Sequence, residues 1–191
     1  MTDDELRALL APGATLVIDT NVSRSSRVML ELLKLAGDLA AHAIDLRLVV
    51  PAPAFAEILM DLRDRFGAHY DPSMIDDYIR DNTRLTIAPF TDADADHMAA
   101  RLAARYGTDA DWQRAKIETA FHELKLADRI TTLHHPKARC SATIDWLIGS
   151  QTHRAGWILI TDDTGPEFTD LPHRARFKQL RRVLATFPPA P

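Results

Sequence analysis

Four short runs of apolar and β-branched residues constrain this chain more than any other feature: Thr15-Leu16-Val17-Ile18, Leu46 to Val50, Leu85-Thr86-Ile87-Ala88 and Trp157-Ile158-Leu159-Ile160. They do not alternate polar with apolar residues, as a strand with one wet face would. Near-continuous apolar strands are buried on both faces, which is the situation in a parallel sheet covered by helices. The segments between them carry helical spacing. Val28, Leu32, Leu35 and Leu39 form one stripe within 26–42, and Phe55, Ile58, Leu59, Leu62 and Phe66 another within 53–66. Further helices are expected over 3–10, 73–81, 92–106 and 111–127, from Ser141 to about residue 154 with Gly156 as its stop, and weakly near 174–185. Residues 128–140 read as loop. The expected fold class is α/β, a three-layer sandwich with a mostly parallel central sheet. The expected organisation is a single domain over 1–191, with a helical insertion around 107–140.

The apolar runs stop well short of the ~20 residues that a membrane span needs. The start, Met1-Thr2-Asp3-Asp4-Glu5, is acidic and no apolar stretch follows, so no signal peptide and a cytoplasmic location are expected. The one cysteine, Cys140, has no partner for an internal disulfide, in keeping with a reducing compartment. With His134 and His135 it matches no closed zinc spacing, and a fourth ligand is missing. No glycine loop of the P-loop type is present. The net charge of −4 weighs by itself against nucleic acid as a partner.

The strand ends change that inference. In open parallel sheets, ligands bind at the carboxyl ends of the strands. The first run ends in Asp19, the second leads into a helix bearing Glu57, and the fourth ends in Thr161-Asp162-Asp163. The helix before the fourth run bears Asp145 near its expected start. Carboxylates crowded on one rim repel unless a cation neutralises them, and hard oxygen donors suit Mg²⁺ or Mn²⁺. Each acid also has a plain structural reading. Asp19 can be a turn former, Asp145 a helix-dipole acid, Asp162-Asp163 a turn, and Glu57 part of a solvated face with Asp61 and Asp64.

Four segments in order resemble the motifs of PIN-domain nucleases. They are Val17-Ile18-Asp19-Thr20-Asn21-Val22, Pro51 to Leu59 around Glu57, Ile144-Asp145-Trp146-Leu147-Ile148-Gly149-Ser150-Gln151, and Leu159-Ile160-Thr161-Asp162-Asp163 with Phe168 following. Asp163 lies 18 residues after Asp145, room for one helix and one strand. The resemblance is greatest to the VapC toxins of toxin–antitoxin pairs. It implies a PIN-like, Rossmann-related fold and a metal-dependent endoribonuclease. It implies Asp19, Glu57, Asp145 and Asp163 as the catalytic, Mg²⁺- or Mn²⁺-binding acids. Thr20, Asn21 and Thr161 would orient those carboxylates, and Asp162 would add charge. The implied partners are an RNA substrate, an antitoxin protein and a second copy of the chain. The chain departs from compact toxins of this type in its extra length between Gly107 and Cys140, and in Gly165-Pro166 before Phe168.

Positive surface for RNA phosphates is offered by Arg24 and Arg27, by Lys137 and Arg139, and by the basic stretch 173–182 that includes Arg174 and Arg176. A solvated terminal helix, or a face complementing a partner's acids, accounts for that stretch equally well. Two other functions compete. A haloacid-dehalogenase-type phosphatase would use Asp19 as nucleophile, but needs an acid two residues on, where Asn21 stands. A non-catalytic PIN-like module would only dock RNA or protein.

Overall fold

The computed structural model describes residues 1–23, 31, 33–34, 37–38, 44–71, 73, 85–107 and 136–187. Its centre is a sheet of five strands, all parallel: β1 (Ala14–Ile18), β2 (Leu46–Pro51), β3 (Leu85–Ala88), β4 (Ile158–Ile160) and β5 (Arg174–Ala175). The order across the sheet is β3-β2-β1-β4-β5. The chain thus builds outward from β1 on one side and then returns to build outward on the other. The switch point lies between β1 and β4, where Leu16 pairs with Ile158 and Ile18 with Ile160. In sheets of this kind, the crevice at the switch point is where ligands enter.

The apolar runs form the expected strands. Leu16, Val17, Ile18, Leu48, Val50, Leu159 and Ile160 are fully or almost fully buried, which is why these strands tolerate no polar alternation. The helix after β2 carries Glu57, and the helix before β4 carries Asp145. Helix α3 (Ala52–Phe66) starts directly from Pro51, with proline in its first turn, where the missing N–H costs no hydrogen bond. Helix α4 (Asp92–Arg105) opens with a capping box from Thr91 to Asp94, and helix α5 (Pro136–Ala155) packs against it. Gly156, at φ +66°, ends α5 in the left-handed conformation that glycine adopts without steric cost. The chain also forms α1 (Asp3–Leu10), capped by Thr2 and Glu5, and α2, the single turn Thr20–Ser23. Helix α6 (Phe177–Leu184) closes the fold and is tied to α1 by Arg182 on Asp3 at 2.5 Å.

Two expectations are corrected. The helix expected from Ser141 begins at Pro136, so residues 136–140 are helical rather than loop. Proline is tolerated in a helix's first turn, and serine does not end the pattern upstream of it. The weak helix expected near 174–185 is instead the short strand β5 followed by α6. Two residues are too few to show strand periodicity, and their ladder is backbone only: Leu159 N–H donates to His173 O (2.9 Å) and Thr161 N–H to Ala175 O (3.1 Å). A basic edge strand is also how sheets discourage further pairing. Of the helix expected over 26–42, residues 31, 33–34 and 37–38 are helical and the rest lie outside the described residues. The helices expected over 73–81 (apart from Ser73) and 111–127, and residues 128–135, lie outside them too. Within the described residues no helix is long and apolar enough to cross a membrane.

Gly149 is where α5 meets the chain after β4. A Cβ there would stand 2.8 Å from Glu167 O, 3.2 Å from an Arg101 nitrogen and 3.3 Å from the Phe168 ring. Phe168 is fully buried, so its ring has no room to yield. Gly149→Ala is expected to destabilise the fold by about 1–3 kcal/mol, as overpacking does. A urea titration followed by circular dichroism checks this; an unchanged midpoint would mean that the two segments are not in close contact.

Candidate metal centre

Asp19 follows β1 directly, and Thr161 follows β4, so sheet pairing alone places them side by side. The Asp19 N–H donates to Ile160 O at 3.2 Å, extending the ladder by one rung. Asp19 is almost fully buried. Its carboxylate accepts from the Thr161 hydroxyl at 2.6 Å and from the Thr20 N–H at 2.7 Å. The Thr161 oxygen in turn accepts from the Asn21 amide at 3.0 Å and from the Asp163 N–H at 3.0 Å. One hydroxyl therefore joins the ends of β1 and β4 and sets the turn that presents Asp163.

Glu57 stands on the second turn of α3. It is buried, and its carboxylate accepts a short hydrogen bond from the Thr20 hydroxyl. The solvated-face reading of Glu57 is thereby corrected. Asp145 is half-buried on α5. Since α5 begins at Pro136, Asp145 lies well inside the helix, and its reading as an acid stabilised by the helix N-terminus does not hold. Asp163 is exposed at the rim, with its Oδ1 accepting from the Thr164 N–H at 3.0 Å.

Electrostatics shows which acids share one region. Burial pushes the Asp145 carboxyl up to about 8, and the charges of Asp19, Glu167, Glu57 and Asp163 push in the same direction. Burial likewise raises Asp19 to about 6, against the opposing hydrogen bonds from Thr161 and Thr20, with Glu57 and Asp163 adding repulsion. Asp163 acts on both groups. Asp162 is exposed, as Asp163 is.

Glu167 was not a candidate from the sequence. It is buried, on the single 3₁₀ turn Pro166–Phe168, and its charge ranks just behind that of Asp19 in its effect on Asp145. Its position next to Phe168 was the available signal. Arg101 of α4 anchors the turn: its guanidinium donates to Glu167 O (2.7 Å), to the Ser150 hydroxyl of α5 (2.9 Å) and to both Asp170 oxygens (2.5 and 3.0 Å), and it lies 5.1 Å from the Trp146 ring. The buried arginine is thus paired and hydrogen-bonded, as a buried charge must be.

Among the described residues, no three His, Cys, Asp or Glu side chains stand arranged to hold a metal ion. The carboxylates are instead hydrogen-bonded to the donors around them, Asp19 to Thr161 and Thr20, and Glu57 to Thr20. The donor set itself is all oxygen, crowded and partly desolvated, which fits a hard divalent cation. Mg²⁺ keeps much of its water and needs only one or two direct carboxylates, so a closed cage is not required. Of the expected phosphate contacts, Arg174 lies in β5 and Arg176 directly follows it, and Lys137 and Arg139 lie in the first turns of α5. Arg24 and Arg27 lie outside the described residues, as do His134 and His135.

No protein-family model matches this chain, and no curated protein does. A solved structure of VapBC2 from Rickettsia felis, bound to a DNA fragment from their promoter, is similar at 13% identity, covering 85% of this chain and 98% of that one with a TM-score of 0.46.

Asp19 and Asp145 bind protons more tightly folded than unfolded. Each therefore favours the folded state at low pH and loses that advantage as pH rises from near the ordinary 3.8 towards about 6 and about 8. The metal-free chain is expected to lose stability across that window, and Mg²⁺ or Mn²⁺ at pH 8 to restore it by binding the folded state alone. Asp145→Asn should flatten the upper part of the profile. Thermal melts in EDTA across pH 5–8 test this; a stability that rises with pH there would contradict it.

Proposed function

We propose that this chain is a Mg²⁺- or Mn²⁺-dependent endoribonuclease, acting as the toxin of a toxin–antitoxin pair. The observation that supports the reading is the hydrogen-bonded grouping of Asp19, Thr161 and Asp163 at the β1/β4 switch point with Glu57 reached through Thr20, together with burial and the charges of Asp19, Glu167, Glu57 and Asp163 that raise the Asp145 pKa to about 8. Such crowding is costly unless it serves a cation. The motif resemblance supplies the substrate class, RNA, and the expected partners, an antitoxin protein and a second copy of the chain.

Asp19, Asp145 and Asp163 would hold the ion, with Glu57 bound directly or through water. When bound, a divalent ion supplies charge stabilisation at the phosphoryl oxygens and lowers the pKa of a coordinated water. Asp19 must present its carboxylate in one orientation, and Thr161 and the Thr20 N–H hold it so. Glu57, hydrogen-bonded by the Thr20 hydroxyl, would orient the attacking water or accept its proton. Asp163, at the exposed rim, is the acid nearest the solvent from which a strand would arrive. Residue 21 works against the phosphatase alternative: its amide donates to Thr161 Oγ1, and an amide cannot protonate a leaving group.

Purified chain is expected to cleave a mixed RNA pool with Mg²⁺ or Mn²⁺ and not in EDTA. Asp19→Asn and Asp163→Asn should each lower the rate by at least ~10²-fold, the scale of losing a group that stabilises the transition state. Thr161→Val, which keeps shape and removes the hydroxyl, should lower it by about tenfold through misorientation of Asp19. Undiminished cleavage by Asp19→Asn would refute the assignment.

A further inference from the structure

A cavity of about 360 Å³ lies beside Asp163. Thr161, Asp163 and Thr164 line it together with Arg174 of β5, Arg176 and, from α6, Gln179. The acid cluster repels phosphate, yet this neighbouring cavity carries two guanidinium groups, the side chains best suited to planar recognition of phosphate oxygens. Arg174 uses one of its five N–H donors on Phe168 O at 3.3 Å, which fixes the side chain and leaves the others available. Among the described residues Arg176 makes no ion pair, and it is exposed. Gln179 spends its amide nitrogen on Met1 O and Asp3 Oδ1, both at 3.1 Å, so what it offers a base is its acceptor oxygen.

The volume decides what can enter. Ligand pockets run from about 300 to 1,000 Å³, so this one has room for a single nucleotide. A base stacked inside an A-form duplex cannot reach such a cavity, whereas an unstacked base of a single strand can be splayed into it. We propose that the cavity beside Asp163 binds one nucleotide of single-stranded RNA next to the cleaved bond, its phosphate held by Arg174 and Arg176. The inference rests on the ribonuclease reading for the strand. The cavity's own chemistry is that of a nucleoside 5′-phosphate, and it can be tested separately.

Uridine 5′-monophosphate has no diester bond to cut, so the wild-type chain with Mg²⁺ can be titrated with it directly by calorimetry. Saturable binding is expected, with none for uridine. Arg176→Glu should weaken it by about tenfold, the scale of one charge-assisted contact. Arg47→Glu makes the same charge change at an exposed residue near the amino end of β2, and should leave binding within about twofold. Asp19→Asn should retain binding, because the phosphate sits on arginine and not in the acid cluster. Absence of binding, equal losses for Arg176→Glu and Arg47→Glu, or an affinity that follows Asp19 and ignores Arg176 would each overturn the proposal. Cleavage distinguishes a strand from a free nucleotide. Arg176→Glu should raise KM for single-stranded RNA about tenfold, and an unchanged KM would overturn the assignment to the strand. Cleavage without nucleotide binding refutes the cavity and spares the nuclease. Nucleotide binding lost in Arg176→Glu, with no RNA cleaved, refutes the nuclease and spares the cavity.

Discussion

The Thr161 hydroxyl at the junction of β1 and β4 is the contact on which the candidate site depends. It donates to Asp19 and accepts from Asn21 and from the backbone of Asp163, so a single oxygen couples two strand ends that are 142 residues apart in the chain. The parallel pairing of Leu16 with Ile158 through Ile18 with Ile160 brings that oxygen into place. The acids then act on one another: Asp19 after β1 and Asp163 after β4 bond Thr161, Glu57 of α3 bonds Thr20, and all three raise the pKa of Asp145 on α5. Were the strands antiparallel, or their order different, these acids would be scattered over both ends of the sheet.

A cluster of this kind works against the fold that holds it. Raised carboxyl pKa values mean that ionisation costs stability, so the surroundings must be stiff enough to keep the acids together. The stiffness comes from α4. Arg101 binds Ser150 of α5, the backbone at Glu167 and the Asp170 carboxylate at once, and so fastens the helix carrying Asp145 to the turn carrying Glu167. Gly149 allows the approach, because any side chain there meets Glu167 O. Phe168 of the same turn lines the cavity, as do Arg174 of β5 and Arg176 after it. A negative centre and a positive flank therefore share one wall, and the net charge of −4 says little about the local field at the site.

What was legible in the sequence follows from how each feature is encoded. The strands at Ala14–Ile18, Leu46–Pro51, Leu85–Ala88 and Ile158–Ile160 were readable because they are mostly apolar and buried, the exposed Arg47 and Thr86 interrupting β2 and β3 by one residue each. Asp19 was readable because an acid directly after such a strand has a fixed address in the fold, whereas the choice of Asp163 over Asp162 came from the motif resemblance and not from the strand end. Arg174–Ala175 was not, since an edge strand of two residues is defined by its neighbour's backbone and not by its own side chains. The start of α5 was misplaced because a serine that could cap a helix lies inside one. Burial of Glu57 was hidden because its helix face also carries exposed charge, while the Thr20 hydroxyl of α2 donates to its buried carboxylate. Glu167 escaped because its place in the cluster depends on a turn fixed by Arg101, some 66 residues earlier in the chain.

The central claim is that the acids at the β1/β4 switch point form a cation site. Crystals of the chain soaked in Mn²⁺, with anomalous scattering recorded at the manganese edge, test it most directly. The account predicts a peak at the carboxyl ends of β1 and β4, coordinated by Asp19 and at least one of Asp145 and Asp163, with the Asp19–Thr161 contact preserved. A strong manganese peak elsewhere on the molecule, with none among these carboxylates, would contradict it.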